Sequence, residues 1–299
     1  MRKALRWLGR VVGLIVLALV LAVGAVYALS AHRMARTYEV HRPVPPEATG
    51  PAAVERGHHV ATIRGCNDCH GADLGGRTFI DDPLIARLSG ANLTSGGAGG
   101  KLSDEDIVCA IRDAVAPDGR PLLFMPSTEF GHLSESDTAD LLAYIRSVPA
   151  VQRALPPNRV GPLGRLLFLT GKLPLLPAEL VDHTAALPSE PAPGPTAAYG
   201  AYLASSCAGC HGAGFSGGHI PGTPPDWPDA ANLTPGPGGI GDWSEAQFVT
   251  LLRTGHRPDG SSVDTKYMPI ALTRHLTDVE VSALYAYLRT LPARASGQH

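Results

Sequence analysis

The stretch CNDCH, residues Cys66–His70, places two thiols one helical turn apart, with an imidazole directly after the second thiol. A C-x-x-C-H pentapeptide is typical of c-type haem attachment, in which the cysteines form thioethers to the porphyrin and the histidine is held beneath the iron. A zinc site needs four tetrahedral ligands, usually supplied as two separated pairs, and no second pair follows here. The pentapeptide therefore predicts covalent haem on Cys66 and Cys69, with His70 as a metal ligand.

A second pentapeptide, CAGCH, repeats this pattern. It predicts a haem bound through Cys207 and Cys210, with His211 as the metal ligand. The expected cofactors are thus two covalently bound haem c groups and their iron. The chain has five cysteines, so only Cys109 stands outside these motifs. Since Cys109 falls in an apolar helical pattern, we expect a small buried side chain rather than a redox thiol.

The sequence around the two pentapeptides also repeats. ANLT occurs at residues 91–94 and again at 231–234. AYIRSVP at residues 143–149 corresponds to AYLRTLP at 286–292, and both segments end at a proline. The chain is therefore predicted to contain two copies of one structural unit.

Each copy is predicted to be helical. Residues 102–115 begin with a serine N-cap, continue with acidic residues and carry apolar residues at helical spacing. The last helix of each copy opens with the pattern of a capping box, Ser134-x-x-Asp137 and Thr277-x-x-Glu280. No convincing alternating strand is present, so the expected fold class is all-α.

The N-terminus has the pattern of a membrane anchor. A basic segment, MRKALRWLGR, precedes an uncharged apolar run from Val11 to Leu29. A cleavable signal has an apolar core of about 7–15 residues, whereas crossing a bilayer takes about 20. We therefore expect residues 1–31 to be an uncleaved single-pass anchor in the inner membrane, although small residues near Ala28 leave cleavage open. The basic residues favour a cytoplasmic N-terminus, with the remainder in the periplasm.

The predicted order is thus the anchor, a first domain at residues 50–150, a linker at 151–194 and a second domain at 195–295. The linker is rich in proline but apolar in its middle, from Leu163 to Leu176. That middle either packs across the seam between the domains or forms a docking surface for a partner or the bilayer. The net charge of −2, with no basic run outside the N-terminus, gives no indication of nucleic-acid binding.

The second axial ligand of each iron is predicted to be methionine. Met125 and Met268 both precede proline and coincide in the repeat. A His/Met pair saturates the iron and raises its reduction potential, which suits the transfer of single electrons. His132 and His275 are competing candidates, but their position at a helix entrance favours an exposed polar role.

Two further pairs recur in the repeat. Arg112 and Arg253 either contact haem propionates or lie on a solvated helix face. Asn92 and Asn232 are expected to shape a turn beside each haem.

These motifs resemble class I c-type cytochromes arranged in tandem. More narrowly, ANLT, RPDG, Met-Pro and the ending ALYAYLRTLP are similar to the cytochrome subunits of membrane-bound dehydrogenases that oxidise alcohols or sugars. Those subunits commonly carry three haem motifs, whereas this sequence has two. The resemblance implies a membrane-anchored dihaem electron carrier, acting as a dehydrogenase subunit or as a shuttle to a respiratory complex. Its redox partners would be a dehydrogenase subunit, other cytochromes or a terminal oxidase.

Two other functions remain open at the level of sequence. A dihaem oxidoreductase acting on peroxide or thiosulfate would need an iron with an open position, which the repeated Met-Pro disfavours. A sensing module would use haem as a receptor for a small ligand. We expect an electron-transfer protein, or the electron-transfer subunit of an oxidoreductase, without catalytic side chains of its own.

Overall fold

The computed structural model describes residues 2–186 and 191–298, and these residues are mostly helical. The α-helices are α1 (Arg2–Met34), α2 (Pro51–Ile63), α3 (Cys66–His70), α4 (Asp104–Asp113), α5 (Ser127–Phe130), α6 (Glu135–Ser147), α7 (Pro162–Leu169), α8 (Ala197–Ala204), α9 (Ala208–His211), α10 (Glu245–Thr254), α11 (Ile270–Thr273) and α12 (Asp278–Leu288). Two 3₁₀ turns lie at Ala98–Lys101 and Pro177–Glu179. The strands are β1 (Arg77–Asp82), β2 (Ala86–Gly90) and β3 (Arg159–Val160).

The prediction of an all-α chain without strands is wrong in one respect, because the structure contains this small three-stranded sheet. Strand β2 pairs antiparallel with both β1 and β3. Along β2, Ala86, Leu88 and Gly90 are buried and alternate with more exposed residues. A five-residue alternation is too short to be distinguished from other structure, and its partner β3 lies far along the chain. Strands β1 and β2 form a hairpin with a three-residue turn, whereas the pairing with β3 is long-range and local sequence does not reveal it.

The apolar middle of the linker packs on this sheet. Phe168, Leu175 and Leu176 are buried in one cluster with Ala86 and Leu88 of β2. Helix α7 also lies against the C-terminal part of α1. Most of these apolar side chains therefore belong to the sheet beside the first domain rather than to the seam, where Pro174 lies close to Gly222 of the second domain.

Helix α1 has the length and composition of a membrane span. It is 33 residues long, and its most apolar window has a mean hydropathy of 2.8. The side chains in that window are not covered by the rest of the described chain. A membrane anchor and a signal segment share these properties.

Glycines set the closest helix crossing in each predicted unit. A Cβ atom added to Gly57 of α2 would lie 1.9 Å from the carbonyl oxygen of Asp140 in α6. A Cβ atom on Gly200 of α8 would lie 1.9 Å from the carbonyl oxygen of Ala283 in α12. The absence of a side chain therefore lets the helix backbones touch.

The two units meet through a contact that is made twice, once in each direction. His59 of α2 lies 2.9 Å from the Glu280 carboxylate of α12, measured from Nε2 to Oε1. Tyr202 of α8 donates its hydroxyl to the Asp137 carboxylate of α6. The crossing glycines align α2 with α8 and α6 with α12, so that His59 corresponds to Tyr202 and Asp137 to Glu280. The seam is thus organised around a pseudo-two-fold axis.

The His59–Glu280 half of this seam is charged. The hydrogen bond to Glu280 raises the pKa of His59 and outweighs the opposing effect of burial. Burial raises the pKa of Glu280, but the hydrogen bonds from His59 and from the Thr277 amide outweigh it and leave the carboxyl pKa below its ordinary value. Asp137, on α6 of the same unit, adds to the effect on His59. Both partners are therefore ionised over a widened pH range.

Replacing His59 with Gln should remove a pH-dependent part of the stability. Because the folded pKa of His59 lies above its ordinary 6.5, its contribution is complete below pH 6.5 and is lost as the pH rises through the folded value. Glu280 contributes fully above its ordinary 4.5 and loses its contribution as the pH falls through its lowered folded value. The Tm of the wild type, measured by circular dichroism, should therefore decline from about pH 6 to about pH 8 through this pair.

His59→Gln should lower the free energy of unfolding near pH 6 by on the order of 1–2 kcal/mol, and its Tm should vary less over the same range. His58→Gln is the matched control, because His58 is exposed on the same helix and packs its ring near Tyr144 instead. Equal pH dependence in the wild type and His59→Gln would contradict this account of the seam.

Candidate haem sites

Each pentapeptide forms a single helical turn closed by a glycine. CNDCH is α3, and the last four residues of CAGCH are α9. The following residues, Gly71 and Gly212, have φ values of 82° and 76°, a region that favours glycine over other residues. Their cysteines are unpaired. The turn therefore presents two thiols and one imidazole, and the chain then reverses away from them.

The histidine of each pentapeptide is oriented by a backbone carbonyl. His70 Nδ1 lies 2.8 Å from the carbonyl oxygen of Ala91, and His211 Nδ1 lies 2.8 Å from that of Ala231. A carbonyl only accepts, so Nδ1 carries the proton and the Nε2 lone pair stays free for a metal. Burial lowers the pKa of both imidazoles, against the effect of these hydrogen bonds. Both histidines therefore have the protonation state of a metal ligand.

The repeated ANLT sequence builds the turn that carries this carbonyl. Asn92 Oδ1 accepts from the Thr94 amide at 3.0 Å, and Asn232 Oδ1 accepts from the Thr234 amide at 2.9 Å. Both asparagines are buried, and each also donates its Nδ2 to a backbone carbonyl after the last helix of its unit. The predicted role of Asn92 and Asn232 in shaping a turn is confirmed, and that turn fixes the carbonyl that orients the histidine.

The structure brings each candidate methionine into the same core as a thiol of its pentapeptide. Met125 packs on the apolar cluster that Cys66 also contacts. Met268 packs on the cluster that Cys207 contacts. His132 and His275, the competing candidates, are exposed. Burial thus favours the methionines, whose role as ligands stays a prediction.

Arg112 and Arg253 both donate to backbone carbonyls that follow the candidate methionines. Arg112 is buried and donates to the carbonyl oxygens of Gly131 at 3.0 Å and Leu133 at 2.8 Å. Arg253 donates to the carbonyl oxygen of Arg274 at 2.7 Å. These carbonyls lie in the loop after the short helix that follows each Met-Pro. The arginines therefore tie the methionine-bearing segment to α4 and α10; the solvated-face alternative is wrong for the buried Arg112, and a contact with a haem propionate stays a prediction.

Cys109 is a buried structural thiol. It is 7% exposed on α4 and directs its Sγ–H to the carbonyl oxygen of Val40 at 3.7 Å. Burial raises the pKa of this thiol, which keeps it protonated. The prediction of a small buried side chain is confirmed.

Trp227 supplies an independent sign that the second unit encloses a polar group. Its indole Nε1 is buried and has no hydrogen-bond partner within the described residues. Its ring meets Tyr267, the neighbour of Met268, edge-on at 4.7 Å between centroids. Buried N–H groups nearly always have an acceptor, and a haem propionate would provide one here. This unpartnered donor fits a haem bound here, and Trp227 is a candidate site residue that sequence reasoning missed.

Comparison with known proteins identifies this unit. Residues 197–292 match the family model for cytochrome c. They form a cytochrome c domain. The domain contains the CAGCH pentapeptide and Met268 and implies covalently bound haem c and an electron-transfer role.

Similarity to curated proteins extends over most of the chain. It is 27% identical to the cytochrome c subunit of a quinone-dependent alcohol dehydrogenase of Gluconobacter oxydans, covering 83% of this chain and 56% of that protein. It is 27% identical to the cytochrome subunit of a fructose dehydrogenase of Gluconobacter japonicus, covering 86% and 56%. It is 26% identical to a diheme cytochrome c-type protein of Cereibacter sphaeroides, covering 82% and 87%. The chain thus spans about half the length of the dehydrogenase subunits.

Arg64 is a second site residue that sequence reasoning missed. It is 7% exposed, and its Nη1 donates to Ser205 Oγ at 3.1 Å and to Ser206 Oγ at 2.5 Å. Its guanidinium lies over the ring of Tyr202, 5.2 Å from the centroid. Arg64 stands two residues before Cys66, and its partner Ser206 directly precedes the other pentapeptide. One buried positive charge therefore lies beside both pentapeptides.

The charge of Arg64 affects the pKa values of the nearby cysteine thiols. Burial raises the pKa of Cys66 to about 12 and that of Cys207 to about 11, and in both cases the charge of Arg64 acts in the opposite direction. Thiols with such pKa values are poor nucleophiles and poor metal ligands at neutral pH.

Arg64→Gln should lower the reduction potential of the haem in the cytochrome c domain. A nearby positive charge favours the ferrous state. One charge roughly 10 Å from the iron, in a medium of effective dielectric about 20, stabilises that state by on the order of 1–2 kcal/mol. For a one-electron couple, about 59 mV corresponds to a tenfold change in equilibrium constant, so a shift of tens of millivolts is expected in a spectroscopic redox titration.

Two variants act as controls for this titration. Arg64→Lys keeps the charge and should stay closer to the wild type. Arg120→Gln removes an exposed arginine that pairs with Asp118 and should leave the potential unchanged. An unchanged potential in Arg64→Gln would show that this charge does not act on the haem.

Proposed function

We propose that the chain is a membrane-anchored dihaem cytochrome c that passes single electrons on the periplasmic side of the inner membrane. The observation that carries the proposal is the repeated histidine geometry: two C-x-x-C-H turns, each with its Nδ1 held 2.8 Å from an alanine carbonyl. A histidine so oriented presents Nε2 to a metal. Since the second copy lies in a cytochrome c domain, the same construction in the first copy supports a second haem.

The proposed domains are two tandem cytochrome c units at residues 50–150 and 195–295. The shared glycine crossing and the pseudo-two-fold seam support this division. The proposed residues that bind haem are Cys66, Cys69, Cys207 and Cys210, and the proposed iron ligands are His70, Met125, His211 and Met268.

With His70 and Met125 on one iron and His211 and Met268 on the other, the protein would hold each haem and shield it from solvent. Its side chains would make or break no substrate bond. Haem c supplies the one-electron couple. The protein orients the imidazoles through Ala91 and Ala231 and ties the methionine segments down through Arg112 and Arg253. The seam contacts hold the two units in one arrangement, so the separation across which electrons pass between them stays fixed.

The proposed partners are redox proteins. Two of the similar proteins are named as cytochrome subunits of an alcohol and a fructose dehydrogenase, which supports a dehydrogenase subunit as electron donor. Another cytochrome or a terminal oxidase of the respiratory chain would accept the electrons. The similar diheme cytochrome, whose length this chain nearly matches, supports the related possibility of a shuttle between membrane complexes.

Counting haems in attachment variants tests this proposal. Full-length protein purified from membranes should contain two haems per chain, measured by the pyridine haemochrome spectrum and intact mass. The paired substitutions Cys66→Ser with Cys69→Ser, and Cys207→Ser with Cys210→Ser, should each leave one haem. Stopped-flow reduction of an external one-electron acceptor by the pre-reduced protein should deliver two electrons from the wild type and one from either variant. A single haem in the wild type would refute the dihaem proposal.

Replacing either methionine with Ala should open its own haem to carbon monoxide. Wild-type protein, with both sixth positions filled, should bind carbon monoxide slowly and incompletely, whereas Met125→Ala and Met268→Ala should each bind about one equivalent rapidly. Loss of the thioether should also lower the potential of that haem. Val279→Ala, an exposed substitution on α12, is the control. Rapid carbon monoxide binding by the wild type would favour an oxidoreductase or a sensor instead.

A further inference from the structure

Helix α7 is fastened alongside the C-terminal part of α1. Arg165 Nη1 donates to Ser30 Oγ at 2.8 Å, and its guanidinium lies over the Tyr27 ring, 4.6 Å from the centroid. Arg33 Nη1 donates to the carbonyl oxygen of Phe168 at 3.2 Å. Ser30 is fully buried, unlike the apolar residues that precede it on α1. The two helices therefore form one unit at this end of α1.

These contacts give the direction of α7 relative to α1. Arg165 is level with Tyr27 and Ser30, whereas Phe168, further along α7, is level with Arg33. Helix α7 thus runs in the same direction as α1. Its first turn lies beside the apolar part of α1, and its last turn lies beside the charged residues that follow.

The length of the apolar run sets the depth of this contact. Residues 11–29 of α1 form an uncharged stretch, which at about 1.5 Å per residue spans roughly 28 Å. The hydrocarbon core of a bilayer is about 30 Å thick. With α1 across the membrane, Leu29 lies at the outer boundary of the hydrocarbon, and the first turns of α7 lie at the same level.

The side chains that α7 presents outward at this level are leucines. Leu163 is 41% exposed and Leu166 is 45% exposed. Leu84, in the turn between β1 and β2, is 57% exposed, and its carbonyl oxygen accepts from the Leu163 amide at 3.0 Å. Three exposed leucines are therefore gathered at the deep end of α7, continuous with the apolar surface of α1.

Two charged groups beside these leucines, Asp82 and Arg165, already have partners. Asp82 Oδ1 accepts from the Leu84 and Ile85 amides, both at 2.8 Å. Arg165 is held by Ser30 and by the carbonyl oxygen of Val160 at 3.2 Å. Polar groups satisfied in this way can lie at the headgroup boundary, where amphipathic helices with an apolar side rest.

We infer that α7 and the Leu84 turn are embedded in the outer interfacial layer of the bilayer, as a second membrane contact beside α1. This inference rests on the proposed role of α1 as the anchor. Two contacts on one side of the first unit would prevent it from swinging freely about a single helix. The first pentapeptide would then keep a fixed height and orientation above the membrane.

Cysteine labelling of the full-length protein in nanodiscs that hold one copy each tests this inference. On a Cys109→Ala background, single cysteines replace Leu19 in α1, Leu166 in α7, Lys172 just after α7 and Val279 in α12. Each variant is treated with a charged, water-soluble maleimide and with an alkyl maleimide that partitions into lipid. The ratio of the two rates, followed by intact mass, normalises for local crowding.

The expected result is a rate ratio favouring the lipid-soluble reagent at least about tenfold at Leu19 and several-fold at Leu166, relative to Lys172 and Val279. If Leu19 favours the lipid-soluble reagent while Leu166 behaves like Lys172, the inference is overturned and the anchor stands. If Leu166 reacts with neither reagent, protein covers it and the inference is equally overturned. If Leu19 itself reacts like Val279, the anchor proposal fails, and this inference fails with it.

Discussion

The site depends on one hydrogen bond, from the histidine Nδ1 to an alanine carbonyl, made in both halves of the chain. It fixes the tautomer and leaves Nε2 as the only ring nitrogen that can bind a metal. The carbonyl is held in turn by the buried turns of Asn92 and Asn232, which are anchored to backbone beyond the last helix of each unit. The ANLT repeat therefore supports the pentapeptides from outside, although it begins 21 residues after His70 in the first unit and 20 residues after His211 in the second.

A second constraint is the symmetry of the seam between the two units, from which the contacts of Arg64 depart. His59 and Tyr202 reach across in equivalent ways, as an internal duplication with a self-complementary interface would require. Arg64 has no such counterpart: it directly follows α2, two residues before the first pentapeptide, and contacts Ser205 and Ser206, the two residues that precede the other pentapeptide. Two arginines at the axis would repel each other, so an arginine facing serines gives both haem motifs one shared charge without that cost.

Local sequence patterns predicted the parts of the molecule that rest on local chemistry. The pentapeptides, the Ser103 and Ser134 N-caps and the Thr277 capping box all have short-range signatures, and the structure contains them. The strand β3 and the place of the apolar linker segment depend on distant pairing, and sequence alone did not predict them. Arg112 was visible as a repeat, but its carbonyl partners were not. Its role became clear only once the fold brought the methionine loop against α4.

The ligand set of each iron is the claim on which the proposed function most directly depends. Near-infrared magnetic circular dichroism of the oxidised protein measures it, because the energy of the porphyrin-to-iron charge-transfer band identifies the pair of axial ligands. The account predicts bands for low-spin His/Met coordination with an intensity of two irons per chain. Bands of bis-histidine coordination, or high-spin signals from an iron with an open position in the resting protein, would contradict it.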